Sequence, residues 1–276
     1  MKHRSFALLS IAAAIIASSA QGAVYNYNFE SFVPGNIHGQ QGWEVDATGD
    51  SNPGAIVGTF GFWGSRAASI GWSTGLSKPS VYVSHAASTP LLGTVGTPDA
   101  TFSVLFQIYD SDSFNGTDPK AAVRDVFGFR LEDGSGNNLF SLFFTPYDQD
   151  PTPENDTAYN TFSYSTGAGP AIPVLNSPLV SAQEGQSYTF SLAFSPSGVN
   201  DVAFTGDISG DSFSGVLPGL ATSTIGRFGA FWNTSDAAEP GSNQMLFDGV
   251  TLIPEPSSAL LGLLGASLAL VRRRRI

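Results

Sequence analysis

Apolar side chains in the body of this 276-residue chain recur at every second position, in short runs, and no stretch sustains a helical period. Tyr25, Tyr27 and Phe29 alternate with Asn26, Asn28 and Glu30, the signature of a half-buried strand. Strands are predicted likewise at Ala55 to Phe60, Ala67 to Trp72, Ser80 to His85, Thr101 to Asp110, Asn160 to Ser165, Gln186 to Ser195, Asp201 to Asp207, Ile225 to Trp232 and Gln244 to Ile253. Val126 to Glu132 and Leu139 to Thr145 flank Asp133-Gly134-Ser135-Gly136-Asn137, so these two should be neighbours in a hairpin. Pro34 to Trp43 is rich in turn formers. About a dozen short strands without an internal repeat point to an all-β chain of two packed antiparallel sheets.

Holding such a sandwich together falls to burial, because there is no cysteine to cross-link it. The 21 phenylalanines are the obvious source of that burial. Residues 21–253 suffice for one all-β domain and fall short of two average ones.

The chain's ends differ from its body. Lys2, His3 and Arg4 precede an apolar stretch from Phe6 to Ala17 and the small residues Ser18, Ser19 and Ala20, the three parts of a secretory signal in order. Residues 1–20 are therefore read as a signal helix, cut by signal peptidase after Ala20. At the other end, Pro254-Glu255-Pro256 is followed by an apolar run and by Arg272, Arg273, Arg274 and Arg275. Ser257 to Val271 would make an apolar helix of roughly 22 Å, short of the roughly 30 Å hydrocarbon core of a membrane. The arginines would keep the C-terminus on the cytoplasmic side.

Residues 254–276, in that order, resemble the PEP-CTERM sorting tail. The resemblance implies transient insertion in the inner membrane and cleavage by an exosortase-like membrane protease. It implies delivery to the cell surface or extracellular matrix of a Gram-negative bacterium.

Without both end segments the chain keeps six of its twelve basic residues, namely Arg66, Lys78, Lys120, Arg124, Arg130 and Arg227, against nearly all of its 23 acids. So acidic a surface argues against nucleic acid and anionic lipid as partners.

Val24 to Leu252 also resembles the concanavalin A/laminin-G-like jelly rolls common among PEP-CTERM proteins. The likeness lies in Phe29-Glu30, the Gly39-Gln40-Gln41-Gly42-Trp43 turn, Gly128-Phe129-Arg130-Leu131 with Leu139 to Phe144, and Phe247-Asp248-Gly249-Val250. Asp248-Gly249 departs from the more usual Asp-Asn. The resemblance implies that the first and last strands pair.

Catalytic patterns are sparse. Glu44-Val45-Asp46 places two carboxylates on one strand face, as a glycosidase requires, but the third acid of the laminarinase pattern is missing because Gly49 occupies its position. A solvated face of an edge strand is the ordinary explanation of the pair. His38 reads as a turn residue and His85 as a strand-end residue, neither in a hydrolase or metal-ligand spacing. Calcium is the cofactor for which the sequence has donors: Asp148, Asp150, Glu154 and Asp156 form one oxygen-rich loop, Asp110, Asp112, Asn115 and Asp118 another. Of the four tryptophans, Trp63 between Gly61 and Gly64 is the candidate for stacking on sugar, and Trp43, Trp72 and Trp232 suit a core.

Three readings of function follow. The first is a non-enzymatic structural or adhesive protein of the envelope or matrix. The second is a carbohydrate-binding module for exopolysaccharide, and the third a glycoside hydrolase.

Overall fold

Period-two alternation becomes two antiparallel sheets in a computed structural model that describes residues 24–47, 55–60, 65–71, 80–93, 99–109, 126–144, 162–174, 186–233 and 244–254. The strands are β1 (Tyr25–Tyr27), β2 (Gly35–Asn36), β3 (Trp43–Ala47), β4 (Ala55–Thr59), β5 (Arg66–Gly71), β6 (Ser80–Pro90), β7 (Ala100–Tyr109) and β8 (Val126–Asp133). After them come β9 (Asn138–Phe144), β10 (Ser163–Thr166), β11 (Ile172–Pro173), β12 (Ser187–Ser197), β13 (Asp201–Ile208), β14 (Asp211–Leu217), β15 (Thr224–Asn233) and β16 (Gln244–Pro254). No helix occurs among the described residues.

One sheet has nine strands in the order β14-β13-β12-β7-β16-β5-β4-β2, with β1 also on β16; the other has seven, β11-β10-β9-β8-β15-β6-β3. The first and last strands pair as the resemblance implies, Tyr25 opposite Leu252 and Tyr27 opposite Val250. On that side of β16, β5 takes Gln244 to Phe247 and β1 takes Val250 to Leu252. An irregularity between Asp248 and Thr251, where Gly249 has φ +57°, separates the two stretches. The predicted β8–β9 hairpin is present, Phe127 opposite Phe144. Its turn is held by Asp133, whose carboxylate accepts from Ser135 N–H, Asn137 N–H and Asn137 Nδ2.

Aromatic rings fill the space between the sheets. Phe106 lies 5.2 Å from Phe129 across the core, and Phe140 lies 5.3 Å from Phe204 and 6.1 Å from Phe190. Trp43 and Trp232 are fully buried among them, as expected of tryptophan in such a fold.

Four expectations need correction. β1 stops at Tyr27, and Phe29 is in the left-handed region at φ 53°, outside any strand. It is nonetheless fully buried, 5.5 Å from both Phe247 and Trp43, because the turn carries it down between the sheets. His85 is mid-strand rather than at a strand end, since β6 runs on through Ala86, Ala87, Ser88 and Thr89 to Pro90. There its Nδ1 faces the Ala86 carbonyl, and its Nε2 lies 2.7 Å from Tyr27 Oη and 3.0 Å from the Gln41 carbonyl oxygen. One buried imidazole thus ties β1, β6 and the turn before β3 together. The turn-rich Pro34 to Trp43 contains the short β2, and β14 has no counterpart among the predicted strands.

Candidate functional site

In a strand, residues two apart share a face, so the core residues Phe127, Phe129 and Leu131 of β8 leave Gly128, Arg130 and Glu132 on the other side. Pairing extends that outer face in rows. Tyr82 of β6 stands opposite Phe231 of β15, and Phe231 opposite Gly128 of β8. In the next row Ser84, Gly229 and Arg130 align, and in a third Arg227 is opposite Glu132.

Two glycines let this layer lie flat. The place a Cβ would take on Gly128 is 2.7 Å from the Phe231 ring and 2.1 Å from the Leu142 carbonyl oxygen. Tyr82 donates its hydroxyl to the Arg130 carbonyl 3.2 Å away, two strands over, so the phenol passes above Gly229 on the strand between. Tyr82 and Phe231 are buried without belonging to the main core. Arginines roof them: the Arg130 guanidinium is centred 4.8 Å from the Phe231 ring and 5.6 Å from the Tyr82 ring, and that of Arg227 lies 5.6 Å from Tyr82.

Glu132 sits between the two arginines. Its Oε2 is 2.6 Å from Arg227 Nη2 and its Oε1 3.5 Å from Arg130 Nη1. The carboxylate side chain is 6% exposed, against 33% for Arg130 and 38% for Arg227, so the guanidiniums form the accessible surface. Burial first, and the Glu132 charge second, push the Tyr82 phenol far above its ordinary range, against the opposing pull of Arg130 and Arg227. The layer is therefore a fixed array of hydrogen-bond donors on an aromatic bed, with its carboxylate clamped and its phenol held neutral.

Sequence reasoning named Arg130 only as part of a fold motif and did not assemble this cluster. The available signal was the spacing itself: Arg130 and Glu132 two apart in β8, Arg227 and Phe231 four apart in β15. Of the residues singled out from sequence, Glu44 and Asp46 extend the rows of this same face, Asp46 opposite Tyr82 and Glu44 opposite Ser84, and the others fall elsewhere. Glu44 and Asp46 are exposed on β3, at the edge of the seven-stranded sheet, and Glu44 Oε2 lies 3.1 Å from His38 Nδ1. His38 is a turn residue, as read.

Both acidic loops, Asp148, Asp150, Glu154 and Asp156 as well as Asp110 to Asp118, lie outside the described residues, as do Trp63, Trp72 and residues 1–20. Pro254 is the last residue of β16, opposite Ala100, while Glu255, Pro256 and Arg272 to Arg275 are outside the described residues. Among the described residues no three His, Asp or Glu side chains converge as a metal site.

One carboxyl on the nine-stranded sheet is also perturbed. Burial pushes half-buried Asp248 up to about 6, assisted by the Glu30 charge and opposed by the hydrogen bond it accepts from Gly249 N–H at 2.7 Å. A carboxyl raised by folding binds its proton more tightly in the native state. Its stabilising contribution is complete below the unfolded value near 3.9 and disappears as pH climbs to about 6. Discounted for solvent access, the loss is roughly 1 to 2 kcal/mol. Asp248→Asn keeps an oxygen for Gly249 and should melt higher than the parent above pH 6, with the gap closing toward pH 4; parallel melting curves across that range would refute the assignment.

No protein-family model matches the chain, and no curated protein matches it in sequence. Its fold is similar to that of solved proteins. A carbohydrate esterase of Shiga toxin-encoding bacteriophage phi24B aligns over 84% of this chain and 100% of its own, at TM-score 0.50 and 15% identity. Lectin II from Ulex europaeus aligns over 84% and 98%, at TM-score 0.46 and 12% identity, and alginate lyase Aly36B over 85% and 98%, at 0.45 and 11%. At such identities the likeness is one of architecture, an all-β sandwich of two antiparallel sheets.

Proposed function

We propose that this chain is an exported, non-catalytic carbohydrate-binding protein that presents the outer face of its seven-stranded sheet to a polysaccharide and acts as an adhesive element of the envelope or matrix. The observation that carries this reading is the flat layer of Tyr82, Phe231, Arg130, Arg227 and Glu132. A sheet face that merely met solvent would need no stacked guanidiniums above buried rings, whereas a sugar ligand uses fixed donors over a rigid bed. Kinship of fold with a bacteriophage carbohydrate esterase is consistent with it.

Binding is favoured over catalysis by the state of the groups present. General acid–base chemistry wants a group that titrates near the working pH, and burial drives the pKa of the layer's phenol far above it. The signal-like residues 1–20 and the PEP-CTERM-like residues 254–276 support delivery through signal peptidase and an exosortase-like protease to the cell surface. Affinity electrophoresis in gels containing neutral or acidic polysaccharides provides the test. Retarded migration in at least one gel, relieved by Tyr82→Ala with Phe231→Ala, is expected; unretarded migration in all of them overturns the reading.

A further inference from the structure

Resting on that carbohydrate reading, we infer that the ligand is a carboxylated polysaccharide, a uronate-containing glycan whose carboxylate docks against Arg130. The argument begins with charge stoichiometry. Two guanidiniums share one carboxylate, and the sharing is unequal: Glu132 is close to Arg227 at 2.6 Å and only loosely engaged with Arg130 at 3.5 Å. Arg130 Nε is buried and has no hydrogen-bond partner among the described residues. A buried N–H without an acceptor is costly, and with two guanidiniums to one carboxylate the layer stands one anion short of balance.

Among the described residues the neighbouring acids do not supply that anion. Asp133 is next in sequence to Glu132, yet its carboxylate is turned into its own hairpin and takes three hydrogen bonds from Ser135 and Asn137. Those bonds, that from the Asn137 side chain foremost, hold its carboxyl below the usual range. Glu44 faces His38, and Asp46 lies on the edge strand opposite Tyr82, in ion-pair contact with neither arginine among the described residues.

Placement of the cations supports the same conclusion. Of the three basic residues described, Arg66 is committed to the backbone, its Nη1 donating to the carbonyls of Glu30 and Phe32 at 2.9 and 2.7 Å. The remaining two converge on one face of a chain whose formal net charge is −11. A pair of cations concentrated there does nothing for solubility.

Geometry selects the anion. A guanidinium stacked on aromatic rings is fixed in orientation, and its planar fork matches a planar carboxylate with two parallel hydrogen bonds. The acidic chain as a whole repels dense polyanions such as polysulfates, so recognition is by contact at one or a few carboxylates with the sugar rings laid along the sheet.

Calorimetric titration of the purified protein with a short oligogalacturonate, with its methyl ester and with dextran sulfate separates the possibilities. The acid is expected to bind at least about tenfold more tightly than the ester, the gain of a charge-assisted hydrogen-bond pair. Arg130→Gln should erase that difference, weakening the acid by more than it weakens the ester. It should stay folded, because Arg227 still pairs with Glu132. As a second variant, Glu132→Gln removes the competing carboxylate and should bind the acid more tightly than the parent, widening the preference for acid over ester. Equal binding of acid and ester, an acid preference that survives Arg130→Gln, no gain in Glu132→Gln, or tighter binding of dextran sulfate would each overturn the carboxylate assignment with the carbohydrate reading intact. Absence of binding to any glycan overturns both.

Discussion

Gly229→Ala is expected to be the most damaging small substitution in the seven-stranded sheet, lowering stability by about 3 kcal/mol or more. The position its Cβ would take lies 1.9 Å from the Val83 carbonyl oxygen and 2.7 Å from Ser84 Cα, backbone atoms of the adjoining strand that cannot rotate away. β15 is held on both sides, by β6 and by β8, so relief requires the strands to separate and their ladder to weaken. For a domain of this size such a loss corresponds to a fall of roughly 6 to 12 °C in melting temperature. The same shift would disturb Tyr82, which spans this glycine to reach Arg130, so residual folded protein should also lose retardation in polysaccharide gels. A variant that melts within a degree of the parent would show that Gly229 adopts a backbone conformation other than the one described.

A comparable loss is expected at the opposite sheet for Phe247→Ala, about 3 to 5 kcal/mol by the usual cost of removing a buried ring. Phe247 is 1% exposed and reaches across the sandwich: its ring lies 5.5 Å from Phe29, 6.1 Å from Trp43 and 6.2 Å from Phe129. Removing it empties a space bordered by both sheets and by the first turn, which cannot collapse from one side. Phe29→Ala should approach the same cost through its contacts with Phe32, Trp43 and Phe247. Thermal unfolding of both variants decides the matter, and a change near zero in either would place that ring at the surface.

The sheets were legible because alternation is local. Phe102, Val104 and Phe106 mark the inward face of β7, and Phe190, Leu192 and Phe194 that of β12, without knowledge of what they face. β14 escaped for the same reason: Ser212, Ser214 and Gly215 dilute a run in which only Phe213 and Leu217 point inward. Phe29 was assigned to the right interior by the wrong route, since its burial follows from a left-handed turn that nothing in Asn28-Phe29-Glu30 announces. The outer-face layer was less legible. Glu132 and Arg227 are opposite one another only because β8 pairs with β15, a contact between segments far apart in the chain. Nothing in either segment alone tells that two cations will share one carboxylate.

The pairing of β1 with β16 has a mechanical consequence. These strands are antiparallel and Tyr25 sits beside Leu252, so the chain enters and leaves the sandwich at adjacent points. Tension drawing the preceding and following segments apart would peel β1 from β16 one residue pair at a time, beginning at Tyr25, in place of loading three pairs together. Tension applied through Pro254 alone meets a different resistance, because β16 is interior to its sheet and is gripped along its length by β7. A domain held by its C-terminal end while its other sheet grips a polymer would carry load through that interior strand and leave the weak three-residue seam unstressed.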